Sequence, residues 1–428
     1  MQIKRDYSQP FFGSRRRRRV GNRMLFLYGL FMGGFLMFVS AQFSRLQLMA
    51  LDVVGMAPTP TQFASTWASQ GYELFLKGKL EDASTAFAQA VSQQPDNVSY
   101  LYEYGRMLIE LNRPAEPDKG RPKADVDMAL ELGDHAIEVA PNDPRSYALK
   151  AKALVWKDDS ATAIPVALTG LELDASFAPL YAVLARAYTD IGRYQQGLDY
   201  GSKAVDLDPM DMDTHRSYAV TLIWVGLRQK AVEQLEDAIT INPNLTSPYF
   251  ELAIQYIALG KYEQAVATYE KILSLEPRNA RALLRLCEAY TQVGQLSQAQ
   301  GYCEDALAIN PDYPQAHRQL GMVKYRRRNY EGAIEEFNQC VKLGSSEIEC
   351  YYLRGLANYY LGNCDQAWTT LEESVRRINA LPVKEPILSE TKEGLRLVTV
   401  SCPAYSNRAL PTIEPTAVQP TPLGGVGG

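Results

Sequence analysis

The sequence predicts an all-α chain of about nine helical hairpins stacked into one solenoid, preceded by a single transmembrane helix. Three observations predict it: a motif that recurs every 34 residues, a 21-residue stretch without a charge near the N-terminus, and the lack of any further block large enough for a second domain. Hydrophobic residues make up 46% of the 428 and charged residues 22%, with 26 Tyr, so the bulk of the chain has the apolar surface a folded array needs.

The chain opens on a basic segment, residues 1–23. Lys4, Arg5, Arg15 to Arg19 and Arg23 against Asp6 leave it at +7, and the remainder at −12. That acidic body argues against nucleic acid as a partner. Met24 to Ser44 carry no charge, and at 1.5 Å rise such a helix is roughly 31 Å long, enough to cross a bilayer core. The basic flank puts the N-terminus in the cytoplasm and the repeats outside it, as in a bacterial single-pass protein. A cleaved signal peptide is the alternative, since Val39-Ser40-Ala41 offers small residues at a cleavage site. Gly29 and Gly33 form a GxxxG that could pair two such helices as a homodimer. Residues 45–63, with Pro58-Thr59-Pro60, read as a linker.

The repeat is marked by Pro95, Pro141, Ala175, Pro209, Pro243, Pro277, Pro311 and Ser345; after a first gap of 46, every interval is 34. With that residue in column 32, the units begin at 64, 98, 144, 178, 212, 246, 280, 314 and 348 and end at 381. Column 4 is then mostly a large ring, column 8 is small (Gly71, Gly105, Ala151, Ala185, Ala219, Ala253, Cys287, Gly321, Gly355), and column 20 is Ala or Gly. Each unit has two apolar-periodic helices about a Gly turn (Gly78, Gly192, Gly226, Gly260, Gly294, Gly362). Tyr249, Leu252, Ala253, Tyr256, Ala265, Tyr269 and Pro277 match the spacing W-x2-L-G-x2-Y…A-x3-F…P, and on them residues 64–381 resemble the tetratricopeptide repeat (TPR) family. The resemblance implies a right-handed superhelical solenoid whose concave face binds a peptide or protein. Three departures stand out. About twelve extra residues, near 112–125, should bulge from the second unit; Pro165 should kink the third; and residues 382–402, helical from about Ile387 to Val400, should cap the open end. The last 26 residues, 403–428, hold five Pro and four Gly and read as a disordered tail.

No catalytic, cofactor or metal site is expected. The three histidines are His135, His215 and His317, two of them in column 4 as hairpin-filling rings, and no phosphate loop or HExxH motif occurs. The even count of six cysteines suits an oxidising compartment. Cys287 and Cys303 face each other in columns 8 and 24 of one unit, Cys340 and Cys350 flank a junction, and Cys364 can meet Cys402 at the end of the cap. Bridged pairs and buried free thiols both fit, with a bridge favoured for the last pair.

In the family the concave face is built by the first helices, here columns 2, 5, 9, 12 and 13. The resemblance therefore implies a partner groove of Trp156, Arg186, Val220, Ile223, Trp224, Phe250, Ile254, Ile257, Arg318, Tyr325, Arg326, Tyr352, Tyr359 and Tyr360, with Lys152 beside them. Column 9 lacks the Asn of the carboxylate-clamp subclass. The expected function is a membrane-anchored extracytoplasmic scaffold. Self-association into an envelope structure, or service as a non-catalytic subunit of an enzyme complex, are the alternatives.

Overall fold

A computed structural model of the chain describes residue 32 and residues 63–112, 123–379 and 386–411. Apart from Met32, the predicted transmembrane segment with Gly29 and Gly33 lies outside them, as do most of the insertion and the segment beyond 411. Among the described residues no helix is long and apolar enough to cross a membrane. Two units divide the chain, Met1–Gln62 and Phe63–Gly428.

Among the described residues, the unit from Phe63 onward is built of helices. Nine hairpins pair α1 (Ala64–Leu76) with α2 (Leu80–Gln93), α3 (Val98–Asn112) with α4 (Lys123–Val139), α5 (Pro144–Trp156) with α6 (Ser160–Leu173), and α7 (Ala178–Asp190) with α8 (Tyr194–Leu207). They continue with α9 (Met212–Trp224) and α10 (Arg228–Ile241), α11 (Thr246–Ala258) and α12 (Tyr262–Leu275), and α13 (Ala280–Gln292) and α14 (Leu296–Ile309). The last pairs are α15 (Pro314–Arg326) with α16 (Tyr330–Lys342) and α17 (Glu349–Tyr360) with α18 (Cys364–Asn379), closed by α19 (Ile387–Ser401). The cap helix stands where the sequence puts it. α6 runs through Pro165 without a break and keeps the fourteen residues of α8, α10, α12 and α14.

Local chemistry starts and stops these helices. Asp143, Asp159, Asp211, Asn279 and Asn329 each accept a hydrogen bond from a backbone N–H in the first turn of the next helix, satisfying a donor the helix itself leaves open. Between the helices of a hairpin the chain turns through one residue of positive φ, and the six predicted glycines take it at 72 to 82°. Asp158 and Arg328 occupy the same column at 63° and 62°, where a side chain raises the conformational energy.

The helices cross at columns 8 and 24, and in units one, eight and nine a glycine in the first makes room for a large side chain in the second. A Cβ on Gly71 would meet the Phe87 ring at 2.8 Å, one on Gly321 the Phe337 ring at 2.6 Å, and one on Gly355 Leu371 at 2.7 Å. Where column 8 is Cys287, column 24 is Cys303, and the two are bridged. Cys340–Cys350 and Cys364–Cys402 are bridged as well, joining α16 to α17 and the start of α18 to the end of the cap. Bridges of this kind contribute about 2–4 kcal/mol each, and all three lie in the last three hairpins and the cap.

Column 4 does more than fill space. Tyr147, Tyr181, Tyr249 and Tyr351 donate their hydroxyls to the column-32 carbonyl six residues back (Pro141, Ala175, Pro243, Ser345) at 2.9 to 3.1 Å. His215 and His317 do the same through Nε2, to Pro209 and Pro311 at 3.0 Å. In these six units a ring with a polar tip thus supplies a donor to the column-32 carbonyl, which lies in the loop past the second helix of the preceding unit.

His317 differs from the tyrosines in facing a second acceptor, Glu336 Oε2 at 2.7 Å from Nδ1. Desolvation pulls its pKa down, but the bonds to Glu336 and the Pro311 carbonyl outweigh it and hold the imidazole above its ordinary 6.5. Burial raises Glu336, and the bonds from His317 and Lys324 outweigh that to hold it below 4.5. The histidine's contribution to stability is complete below pH 6.5 and lost as pH rises through its raised value; the glutamate's is present above pH 4.5 and lost below. Stability from this pair therefore peaks between those limits. His317→Tyr keeps the donor to Pro311 and should abolish the decline on the alkaline side, measured as urea midpoints from pH 6 to 9; an unchanged pH profile would refute the assignment.

Candidate partner-binding surface

The concave columns of the first six units converge on one another. Arg216 in column 5 of α9 is 1% exposed. Its Nη1 donates to Glu110 of α3 at 2.9 and 3.1 Å, and its Nε to Glu251 of α11 at 3.1 Å. The Ser247 hydroxyl donates to the same Glu110 carboxylate. Nearby, Lys152 of α5 pairs with Asp213 of α9, and Arg106 of α3 reaches that carboxylate at 3.7 Å while holding Glu103 at 2.9 Å. Burial lowers the Arg216 pKa, but Glu110 and Glu251 outweigh it and keep the guanidinium protonated.

The first hairpin closes the same contact from the other side. Asn242 and Asn244, in the loop after α10, donate their amides to the carbonyls of Phe75 and Leu76 at 3.2 and 2.9 Å. Phe75, Phe87 and Met107 share an apolar cluster with Met212, Ala238 and Leu245. A Cβ on Gly78 would stand 2.1 Å from the Asn244 carbonyl, so glycine is needed there for close approach as well as for φ. Units one and two thus clasp units five and six, more than 100 residues away.

The clasp changes the expected groove. Trp156, Arg186 and Val220 face inward as predicted, but they line a cavity of about 40 Å3, room for about three waters at most. A peptide does not fit there. At the mouth a cleft of about 430 Å3 is bordered by Tyr72, Leu76, Arg106, Arg145, Met210 and Asp211, where burial and then the Asp213 carboxylate hold Asp211 above the usual carboxylate range. Sequence reasoning missed this cleft and the residues of the clasp. Their signal was a set of charges in groove columns (Arg106, Glu110, Asp213, Arg216), but which charge meets which depends on the superhelix.

Two further groove assignments are corrected. Phe250 is only 4% exposed, packed on Tyr269 with the Arg281 guanidinium 4.2 Å above its ring. Tyr352 is 8% exposed, and burial together with Glu390 of the cap pushes its hydroxyl pKa up. Both are core residues because their columns are covered by the next unit or the cap. Tyr359 is half-buried against the cap, its hydroxyl 3.0 Å from Ser401. Arg318 is tied to Glu288, Glu347 and Glu349, and Arg326 donates to the Thr291 carbonyl at 3.0 Å.

The open surface lies on the other side of the clasp. Trp224 is 62% exposed and stacked on Tyr194 at 6.4 Å, Ile254 is 42% exposed, and Ile223 and Ile257 stand half-exposed between them. A second ring group lies at the eighth and ninth units, where Tyr330 and Tyr360 stack at 4.8 Å with Tyr325 beside them. Both stacks join column 17 of one unit to column 13 of the next.

Arg216 is the test of the clasp. Arg216→Met leaves two carboxylates facing a buried site without a cation and should cost about 3–5 kcal/mol, while pairing it with Glu110→Met should recover most of that loss. Urea unfolding of the three proteins measures it, and a single replacement within about 1 kcal/mol of wild type would mean the triad is no clasp.

Comparison with known proteins finds similarity to tetratricopeptide repeats in parts of the chain. Tetratricopeptide repeat profiles match residues 69–116 and 256–301, and a profile described as anaphase-promoting complex, cyclosome, subunit 3 matches residues 292–374. The small glutamine-rich tetratricopeptide repeat-containing protein 2 of Mycosarcoma maydis is 32% identical over 95 residues, 22% of this chain and 27% of that protein. The DnaJ homolog subfamily C member 7 homolog of Schizosaccharomyces pombe is 26% identical over 154 residues, 35% of this chain and 30% of its own. The chain thus spans less than a third of the length of these curated relatives. A crystal structure of the APC/C hetero-tetramer Cut9-Hcn1 superposes with a TM-score of 0.46 at 14% identity, covering 82% of this chain and 81% of that one. Residues 69–116 and 256–301 are thus similar to tetratricopeptide repeats.

Proposed function

We propose that the chain is a non-catalytic scaffold that captures a protein or peptide partner on the open surface of its fifth and sixth repeats, displayed outside the cytoplasm on a transmembrane anchor. One observation carries the binding reading: the early units consume their groove charges in the clasp, whereas Trp224 and Ile254 stay exposed beside half-exposed Ile223 and Ile257. Exposed aromatic and aliphatic side chains in contiguous columns are what a partner surface requires. Solenoids of stacked repeats supply such surfaces without a catalytic domain.

The anchor reading is supported by sequence and by sulfur. Residues 24–44 carry no charge behind a +7 flank, and all six cysteines are bridged, a state that persists in oxidising compartments. Protease added to intact spheroplasts should digest the repeats and spare a small membrane-bound N-terminal fragment. Full protection of the repeats would reverse the orientation, and a mature N-terminus at Gln42 would show a cleaved signal instead.

Binding and folding separate by position. Ala253 is fully buried at a helix crossing, and Ala253→Leu should destabilise by about 1–3 kcal/mol through overpacking. Trp224→Ala and Ile254→Ala should leave the melting temperature nearly unchanged and weaken partner binding by about 2 kcal/mol, some thirtyfold, in titration calorimetry. If the two alanine variants melt as early as Ala253→Leu, or bind as tightly as wild type, the surface is misassigned.

A further inference from the structure

Four tyrosines meet on one edge of the last two units. Tyr330 and Tyr360 stack at 4.8 Å and 13°, Tyr325 meets them at 5.5 and 6.1 Å, and Tyr359 meets Tyr360 edge-on at 5.4 Å. Tyr360 is 52% exposed. Arg326, Arg327 and Arg328 follow Tyr325 in the chain, all exposed, with Arg326 donating to the Thr291 carbonyl and Arg327 to Gln300. Arg328 sits at φ 62°, in the column where six other turns use glycine, so a cation is kept where the backbone disfavours a side chain.

The C-terminal segment leaves from the same edge. After α19 the Cys364–Cys402 bridge returns the chain to the start of α18, four residues beyond Tyr360. Tyr405 then donates its hydroxyl to Asp365 at 2.8 Å and stacks on Trp368 at 5.2 Å, with Arg408 lying over both rings. Residues 411–424 read PTIEPTAVQPTPLG: four prolines, one acid in Glu414, and no Lys or Arg. At about 3.1 Å per residue, the stretch from Arg408 to Pro420 spans up to roughly 37 Å, against the single turn that separates Asp365 from Tyr360.

We propose that the Tyr325–Tyr330–Tyr359–Tyr360 edge, with the arginines beside it, is the docking surface for the chain's own proline-rich segment, residues 411–424. Aromatic rings accept the faces of prolines, and the extended left-handed conformation that prolines favour leaves backbone carbonyls open to tyrosine hydroxyl donors. Glu414 complements the arginines. Tethering raises the local concentration of the segment, so even a weak contact is held. Docking would place the tail over the ring group of the last units and leave the Trp224–Ile254 surface open, so the inference stands apart from the proposed partner site.

Hydrogen exchange of the full chain tests it, read on fragments covering residues 409–424 against a free synthetic peptide of that sequence. Amides of the wild-type segment should exchange at least about tenfold more slowly than in the peptide. Tyr360→Ala and Tyr330→Ala should each restore the free rate while α17 and α18 stay protected. Trp224→Ala, the same column at the other ring stack, should leave the segment slow. Free-rate exchange in wild type, or slow exchange in either folded tyrosine variant, overturns the proposal. Protection that disappears on hundredfold dilution also overturns it, because the segment would then come from a second copy.

Discussion

The arrangement of the early repeats depends on one buried cation. Arg216 is 1% exposed and is held by carboxylates from two other units, Glu110 of the second and Glu251 of the sixth. A guanidinium out of water needs such partners, because desolvation of the ion is otherwise far too costly. The requirement draws α3, α9 and α11 to one point, and it narrows the interior to a cavity for a few waters. The amides of Asn242 and Asn244 on the carbonyls of the first hairpin complete the closure. An ordinary solenoid contacts only its neighbours and keeps its concave face open. Here the first six units have contacts across the turn, and the open surface of Trp224 and Ile254 is the part of units five and six that those contacts leave uncovered.

The later repeats are held by a different means. Three bridges fasten unit seven internally, unit eight to unit nine, and unit nine to its cap. Cross-links act on neighbours and on the unfolded chain, so they stabilise without filling the inner face. The two halves therefore have complementary constraints: one closed by side chains that fill its interior, the other stapled along its length with ring stacks left at its surface.

Crossing geometry links both halves. In units one, eight and nine a column-8 glycine leaves room for a large column-24 side chain (Phe87, Phe337, Leu371), in units three and four both columns are small (Ala151 with Ala167, Ala185 with Gly201), and in unit seven one disulfide joins them. The column-4 rings add a second shared device, a donor aimed at a carbonyl of the loop after the preceding helix, which explains why His stands in for Tyr at positions 215 and 317.

Period, small columns and turn glycines were legible because they are local: each records a contact within one hairpin or between adjacent ones, at a constant separation along the chain. They determined the hairpin boundaries, the cap and the facing of Cys287 and Cys303. The inward direction of the groove columns was legible too, since Trp156, Arg186, Glu110 and Arg216 all point where the register sends them. Whether an inward residue meets a partner, water or another unit was not. Glu110 and Arg216 are 106 residues apart, and their meeting depends on small rotations summed over several junctions, which no single column encodes. Phe250 and Tyr352 both stand in column 5, which is buried or half-buried in every unit, so that column packs against its neighbours and does not line an open groove. Sequence determined the repeat, whereas only the tertiary structure decided which part of its inner face remained available, because superhelical closure is a property of the whole array.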